Sequence, residues 1–331
     1  MPDGPLLDIT DLVKHFPLGG GILSKPKGWI KAVDGVSFAV SRGESFGLVG
    51  ESGCGKTTLG RLILRLIEPT AGRVAFKGQN IFALGPAQLM PLRRRMQIIF
   101  QDPYSSLDPR MKVDAIITEP LRAIQRLTRQ HQQEMAAELL GKVGLQKTDL
   151  DKYPHEFSGG QRQRIGIARA LCVRPELIVA DEPVSALDVS IQAQVINLMQ
   201  DLKDEFNLAY VFISHDLSVV AHICDRIAVM YLGKIVELAV TGDFSRRPRH
   251  PYTRALLQAV PLPDPHRRTK PLNMEGDVPS PIDPPAGCSF HPRCPHKFDR
   301  CALETPPLVE ATGKHFVACW LNEGTGMIND Y

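Results

Sequence analysis

Residues Gly50 to Thr57 read "GESGCGKT", a glycine followed by four residues and then by Gly-Lys-Thr. A short apolar stretch, "GESFGLVG", runs into this segment, and a helical pattern, "KTTLGRLILRLI", follows it. Glycines at this spacing let successive backbone N–H groups turn inward around a phosphate, and the following helix directs its positive end at the anion. The segment therefore predicts a strand, a phosphate-binding loop and a helix in that order, which strongly limits the possible folds.

Further apolar runs predict the rest of an α/β fold. We expect strands in "LLDITDLVKHF", "IKAVDGVSFAV", "MQIIF", "ELIVADEP" and "LAYVFISHD", and a late hairpin in "IAVMYLGKIVEL". Helical spacing of apolar residues appears from about Ile116 to Leu145 and again in "FSGGQRQRIGIARALCV". Strands that alternate with helices indicate an α/β sheet with function at the carboxyl ends of the strands.

Composition changes sharply near the C-terminus. Ten of the 27 prolines lie between Pro248 and Pro285, which predicts an extended, poorly helical segment. We therefore predict a nucleotide-binding domain over residues 1–245 and a C-terminal extension over residues 246–331. The net charge of +3 gives no support for a dedicated nucleic-acid binder. No signal peptide and no run of 18 apolar residues is found, so we expect a cytosolic chain.

Two acids at the end of an apolar strand complete the expected phosphate chemistry. Lys56 would supply a point charge to the phosphates, and the Thr57 hydroxyl is placed for Mg²⁺. In "LIVADEP", Asp181 ends the strand and Glu182 follows it. Adjacent strand residues point to opposite sides, so one acid can hold Mg²⁺ while the other faces an attacking water.

A second helix start, in "FSGGQRQR", also suits an anion. Ser158 is a good N-cap residue, and Gly159 and Gly160 would allow a phosphate to approach closely. A helix cap alone would also account for Ser158, so the residues themselves leave both interpretations open.

Six motifs in order resemble the ATP-binding cassette ATPases: "GESGCGKT", "IIFQDP", "EFSGGQRQR", "LIVADEP", "SALD" and "FISHD". The resemblance covers roughly residues 6–245 and implies the family's P-loop core with a helical subdomain at about 105–170. It implies that Gln101 senses Mg²⁺ and couples to membrane subunits, and that Asp181 binds Mg²⁺ through water. It also implies that Glu182 polarises the attacking water and that His215 contacts the γ-phosphate.

The same resemblance implies the remaining ATP contacts. Ser158, Gly159, Gly160 and Gln161 would complete the ATP site of the opposite subunit, with Asp188 in a loop at the dimer contact. An aromatic residue would stack on adenine, and Phe16 is the match, with Trp29 the alternative. The other predicted ATP contacts are Gly50, Glu51, Ser52, Gly53, Cys54, Gly55, Lys56, Thr57 and Thr58, with Thr57, Gln101 and Asp181 around Mg²⁺.

The C-terminal extension is similar to that of oligopeptide and dipeptide importer ATPases, and most similar to the second of their two ATPase subunits. The matching segments are "HPYTRALLQAVP", "GDVPSPIDPPAGCSFHPRCP" and "HFVACW". This resemblance implies ATP-driven peptide import with a second ATPase, two permease subunits and an extracytoplasmic peptide-binding protein. It places the chain peripherally on the cytoplasmic face of the membrane.

Other functions stay open at this point. Nickel and glutathione importers share the extension. A cassette ATPase that acts on ribosomes or DNA would usually carry paired cassettes, coiled-coil insertions or basic arms, none of which appears. A regulatory nucleotide-binding module without turnover is disfavoured by the intact Glu182 and His215.

Four cysteines close the sequence: Cys288, Cys294, Cys301 and Cys319, separated by five, six and seventeen residues. A cytosolic chain argues against disulfides, and the spacing matches neither the short pairs of zinc fingers nor the ferredoxin run, which leaves zinc and iron–sulfur open. The peptide-importer resemblance implies a [4Fe-4S] cluster, while His291, His296 and His315 keep zinc possible. We expect a structural role, so that loss of one cysteine would loosen the extension and leave ATP affinity largely intact. The other cysteines, Cys54, Cys172 and Cys224, are predicted to be small buried thiols.

Overall fold

The computed structural model describes residues 4–19, 26–122, 124, 128–259, 274 and 276–323. The strands are β1 (Leu7–Leu18), β2 (Gly28–Val40), β3 (Ser45–Val49), β4 (Ala71–Phe76), β5 (Gln79–Asn80), β6 (Met96–Ile99), β7 (Leu177–Asp181), β8 (Ala209–Ser214), β9 (Arg226–Tyr231), β10 (Lys234–Val240), β11 (Val309–Thr312) and β12 (His315–Val317). The α-helices are α1 (Lys56–Ile63), α2 (Pro86–Arg95), α3 (Val113–Arg122), α4 (Arg129–Lys142), α5 (Gly159–Leu171), α6 (Val189–Phe206), α7 (Leu217–Ile223), α8 (Thr241–Arg246), α9 (Pro251–Ala259) and α10 (Asp299–Leu303). The predicted α/β class is confirmed, and residue contacts divide the chain into two compact units.

The first unit consists mainly of the described residues of Ala83–Ile213, with Val40–Ser45 and residues 4–6. In it β6, β7 and β8 are parallel, with β7 in the middle. Every residue of β7 and β8 is buried. Parallel strands covered on both faces need continuous apolar runs, which is why these two were visible in the sequence.

Helices α2 to α6 make up most of the remainder of the first unit. The helical pattern predicted over 116–145 is confirmed as α3 and α4. Side-chain caps fix the first residues of two helices. The Thr128 side chain accepts from the His131 backbone N–H at the start of α4, and the Ser158 side chain accepts from the Gln161 backbone N–H at the start of α5.

The second unit contains the described residues of Leu7–Ala39, of Phe46–Phe82 and of the chain from Ser214 to Glu323. One of its sheets has the order β2-β1-β4-β5. The other strands of this unit follow the order β11-β12-β10-β9-β3, in which β3 and β9 are parallel and β9 and β10 form the predicted antiparallel hairpin. Leu232 and Gly233 both have positive φ in the hairpin turn, the conformation that two-residue hairpin loops favour.

The extension is more ordered than its composition predicts. The expectation of a poorly helical segment is wrong at α9, because Pro251 is the first helical residue, where its missing N–H has no helical partner to lose. Further on, β12 pairs with β10, with Val317 opposite Glu237. Residues 260–273, which hold several of the prolines, lie outside the described residues, and the boundary at 245 stays a prediction.

Candidate functional site

The loop Gly50–Gly55 joins β3 to α1 in the second unit, as the glycine spacing predicted. Gly50 has a φ of 153° and Gly55 a φ of 109°. An added Cβ atom would lie 2.2 Å from the Met230 carbonyl oxygen at Gly50, and 1.9 Å from that of Ala32 at Gly55. Neither position accepts a side chain without moving the backbone, so the loop conformation depends on both glycines.

Lys56 begins α1 and is only 5% exposed. Its Nζ donates to the carbonyl oxygens of Gly50 at 2.7 Å and Glu51 at 2.9 Å. These acceptors are neutral, and no carboxylate pairs with the ammonium among the described residues. A buried cation without a counter-charge is expensive, so the loop favours an anion beside Lys56.

Glu51 is the one acid of this loop, and its partner comes from the extension. The guanidinium of Arg293 donates to both carboxylate oxygens, at 2.9 and 3.2 Å. The Glu51 backbone N–H donates to the Tyr252 hydroxyl at 2.9 Å. The predicted phosphate loop is therefore tied to two residues of the C-terminal extension.

The other loop residues have different environments. Ser52 and Gly53 are exposed, and Thr57 and Thr58 are half-buried in the first turn of α1. The Cys54 side chain is buried, and burial raises the pKa of its thiol although Lys56 lies nearby. Cys54 therefore stays protonated at neutral pH.

Two aromatic side chains are available for stacking on a base. Phe16 on β1 is half-buried, with the Lys14 ammonium 4.8 Å from its ring centroid. Trp29 on β2 is 47% exposed. Lys14 covers one face of Phe16, so a base would stack on the other face or displace the lysine.

Glu182 leaves the end of β7 in a left-handed conformation, with a φ of 47°. Its backbone N–H donates to the Ile213 carbonyl at 2.9 Å. Its carboxylate accepts a hydrogen bond of 2.9 Å from the side-chain amide of Gln101. The first unit thus brings together two predicted catalytic residues that are 81 positions apart.

Asp181 and His215 lie at the carboxyl ends of two strands, β7 and β8. Asp181 is the last residue of β7, is 7% exposed and lies opposite Ile213 of β8. His215, directly after β8, is exposed and belongs to the second unit. Asp181 therefore ends one fully buried strand and His215 follows another, as the apolar runs predicted.

Ser158 caps α5 through a reciprocal pair of hydrogen bonds. Its hydroxyl accepts from the Gln161 backbone N–H at 3.3 Å, and the Gln161 side chain accepts from the Ser158 N–H at 2.9 Å. Gly160 is buried, and a Cβ there would lie 2.4 Å from Ile191 Cγ2. The capping interpretation is thus correct for Ser158, and Gly160 serves close packing of α5 on α6.

Asp188 occupies the N-cap position of α6, but its side chain makes no capping hydrogen bond. The residue is exposed, as is its neighbour Val189 at 81%. Both side chains are accessible at the surface of the first unit.

Cys288, Cys294, Cys301 and Cys319 line one cavity in the second unit, with a volume of about 300 Å³ including the part open to solvent. Its wall also includes Phe290, Trp320 and three histidines, His250, His291 and His296. His315 instead bonds to Glu237 and does not line this cavity. Among the residues that the structure describes, no group of three or more His, Cys, Asp or Glu side chains is arranged to hold a metal ion.

Backbone N–H groups lie close to three of the four sulfurs. The N–H groups of Phe290, His296 and Leu321 interact with Cys288, Cys294 and Cys319, each two residues earlier in the chain. Burial raises the pKa of Cys294 to about 11 and of Cys319 to about 12. These two thiols are therefore protonated at neutral pH, and a metal that binds them must displace their protons. The remaining cysteines, Cys54, Cys172 and Cys224, are buried as predicted.

A buried carboxylate joins the extension to β10. Glu237 is fully buried and accepts from the backbone N–H groups of Arg249 at 2.7 Å and His250 at 2.8 Å, and it contacts His315 Nε2 at 2.6 Å. Burial opposes ionisation of Glu237, but hydrogen bonds from His315 and from the backbone prevail and lower its pKa.

Comparison with known proteins gives the class. Residues 33–185 match the ABC transporter family, and residues 236–301 match the family described as the oligopeptide/dipeptide transporter C-terminal region. In fold, the chain resembles the dimeric post-hydrolysis ATP-binding cassette MJ0796 bound to ADP and Pi, with a TM-score of 0.64 and 26% identity, covering 71% of this chain and 98% of that one.

Two relatives match over almost the whole chain. A probable peptide ABC transporter ATP-binding protein, y4tS, from Sinorhizobium fredii is 54% identical, covering 95% of this chain and 89% of the relative. The oligopeptide transport ATP-binding protein AppF from Bacillus subtilis is 52% identical, covering 96% and 97%. The chain belongs to the ATP-binding cassette ATPases, as the six motifs predicted, and it is an ATPase. Within that family it belongs to the oligopeptide/dipeptide transporter group. No described helix is long and apolar enough to cross a membrane.

Sequence reasoning missed Arg293, Tyr252 and Glu237. Arg293 directly precedes Cys294 in "HPRCP". A basic residue beside a possible metal ligand gives no local sign that its partner lies elsewhere in the chain. Its partner Glu51 is 242 residues away. The acid within an otherwise glycine-rich phosphate loop was the one available clue, since such a charge requires a counter-ion.

Proposed function

We propose that this protein is the ATP-hydrolysing subunit that powers import of oligopeptides or dipeptides. The observation that carries the proposal is the similarity over 95% of the chain, extension included, to a protein named as a peptide transporter subunit. A cassette that shared only the phosphate loop and catalytic motifs would not extend that similarity through residues 236–301.

The proposed roles follow the sequence motifs. Lys56 and the loop N–H groups bind the ATP phosphates, Phe16 stacks on adenine, and Thr57, Gln101 and Asp181 arrange Mg²⁺. Glu182 polarises the attacking water, and His215 contacts the γ-phosphate. The accessible Ser158 and Asp188 support a role at the ATP site of a second cassette.

The proposed assembly contains a second homologous ATPase, two permease subunits and an extracytoplasmic peptide-binding protein. In it the chain lies peripherally on the cytoplasmic face of the membrane, and residues near Gln101 couple ATP hydrolysis to the permeases.

Transport by the reconstituted assembly tests the function. The complex that co-purifies with this chain is placed in proteoliposomes with its binding protein, and ATP-dependent uptake of a peptide library, Ni²⁺ and glutathione is compared. We expect peptide uptake that is lost in Lys56→Ala, because the phosphates lose their main point charge. Uptake of Ni²⁺ or glutathione without peptide would overturn the substrate assignment. Unchanged ATP affinity in Lys56→Ala would overturn the loop assignment.

We propose further that Cys288, Cys294, Cys301 and Cys319 hold a [4Fe-4S] cluster that stabilises the extension. Their common cavity supports this, as do the N–H groups at three sulfurs, since hydrogen bonds to sulfur are characteristic of iron–sulfur sites.

Metal analysis of anaerobically purified protein tests this proposal. We expect brown protein with absorption near 400 nm and about four irons per chain. Cys301→Ser should remove the colour, whereas Cys172→Ser, a control at a buried cysteine of the first unit, should keep it. Colourless protein with one tightly bound zinc would favour zinc instead.

A further inference from the structure

Glu51 places a negative charge in the loop that must bind the phosphates of ATP. Carboxylate and phosphate repel each other, and the repulsion is stronger near a protein surface than in bulk water. An acid at this position therefore weakens nucleotide binding unless a cation neutralises it.

Arg293 is built to neutralise that charge. The Arg293 side chain is 8% exposed. Its guanidinium contacts both carboxylate oxygens of Glu51, in the bidentate geometry that arginine forms with carboxylates. The ion pair holds the pKa of Arg293 above its usual range despite burial. Lysine could not form the same paired contact.

Aromatic packing fixes the position of Arg293. It ends the short helical turn His291–Arg293, and its backbone N–H donates to the Phe290 carbonyl at 3.0 Å. The Phe290 ring packs at 5.4 Å from both Tyr231 and Tyr252, and Tyr252 is the residue that binds the Glu51 N–H. The extension thus contacts both the side chain and the backbone of Glu51.

We propose that Arg293 is a positioning residue for ATP: it neutralises Glu51 and holds the phosphate loop in its binding conformation, so that the extension sets nucleotide affinity. The proposal rests on the proposed role of this loop in ATP binding. The sequence led us to expect that loss of one cysteine leaves ATP affinity largely intact. Arg293 is the neighbour of Cys294, so a cysteine replacement that displaces Arg293 should instead weaken ATP binding.

Nucleotide titration of the full chain tests this inference. Isothermal titration with Mg-ATP and with ADP should give about tenfold weaker binding for Arg293→Ala, within the range of energetic coupling between sites. Glu51→Gln introduced into that variant should restore much of the affinity, because the unpaired negative charge is removed. Arg293→Lys should fall between the wild type and Arg293→Ala.

Arg300→Ala is the matched control. Arg300 lies in the same extension, pairs with Glu304 and Glu323, and stacks on Trp320 at 3.5 Å, but does not contact the loop. Its loss should leave affinity within about twofold. Equal weakening in both arginine variants, or unchanged binding in Arg293→Ala, overturns the proposal. Loss of binding in Lys56→Ala beside unchanged binding in Arg293→Ala would overturn this inference alone.

Hydrogen exchange gives a second readout that does not require Arg293→Ala to fold. Coupling between two sites is reciprocal, so ADP should slow amide exchange in residues 288–301 of the wild type. In Glu51→Gln that protection should be reduced. If ADP does not change amide exchange in residues 288–301 of the wild type, the proposed coupling is wrong.

Discussion

Glu182 occupies a backbone conformation that is unfavourable for its residue type. A φ of 47° outside glycine costs on the order of 1–3 kcal/mol and tends to occur at functional sites. The hydrogen bond from Gln101 and the contact of the Glu182 N–H with Ile213 hold the carboxylate in place. The strain is thus maintained by contacts on both sides of the residue.

Glu182→Gln should leave ATP binding intact and slow hydrolysis by about 10²–10⁴-fold, the usual cost of losing a catalytic base. Glutamine keeps the size of the side chain and incurs the same backbone strain, so thermal stability should not change. Steady-state ATPase assays and ATP titration of the assembled transporter measure the two effects.

Asp201→Asn, which removes an exposed charge from α6, is the control and should keep full activity. Near wild-type hydrolysis by Glu182→Gln would contradict the assignment of Glu182.

Single residues differ in how visible they were in the sequence. Lys56 and Ser158 follow from local spacing, because a phosphate loop and a helix cap are both built within a few residues. The pairs Gln101–Glu182 and Arg293–Glu51 join distant segments. Only the fold brings such partners together, so no local pattern could reveal them.

At the scale of elements, the contact between α5 and α6 depends on the absence of a side chain. Gly160 would place a Cβ 2.4 Å from Ile191, whereas Gly166 in the same helix would meet nothing within 4 Å. Replacement by alanine should therefore have opposite effects on stability at Gly160 and Gly166.

Gly160→Ala should destabilise the protein by about 1–3 kcal/mol through overpacking. Gly166→Ala should stabilise it by up to about 1 kcal/mol, because alanine is the better helix former. Denaturant unfolding of the full chain compares the two variants. Ile191→Ala should relieve the clash in Gly160→Ala, and equal stability of both glycine variants would contradict this packing.

Buried helices and strands were easier to predict from the sequence than exposed ones. Fully buried strands such as β7 and β8 were visible as continuous apolar runs. No helix was predicted at α2, a largely exposed helix that ends in three arginines and carries Pro91 in its interior. At α9 the proline count outweighed the helical spacing of "PYTRALLQA". The position of a proline within its helix mattered more than the number of prolines.

At the scale of the whole molecule, Ser158 and Asp188 are both exposed at the surface of the first unit. In the proposed function, the Ser158 hydroxyl and the first backbone N–H groups of α5 would donate to the nucleotide of a second cassette. Pairing is part of the proposed assembly; the cassette MJ0796, which this chain resembles in fold, is dimeric.

The isolated chain should therefore be a poor ATPase whose specific activity rises with concentration or with addition of the second cassette. Ser158→Arg should reduce hydrolysis of the pair while the chain's own ATP affinity is kept. Activity assays across a dilution series, with light scattering to record mass, measure this. High activity in a proven monomer that is independent of concentration would contradict it.

The buried carboxylate of Glu237 has a practical consequence for anyone who shortens this chain. A truncation at residue 245 would look like removal of a detachable tail, yet it deletes the Arg249, His250 and His315 donors and leaves Glu237 without those partners. Removing one side of a buried charged contact costs about 3–5 kcal/mol. The shortened protein should be destabilised and should aggregate, because the loss of β12 also leaves β10 with an open strand edge. Within this protein the extension is therefore a structural part of the cassette that precedes it.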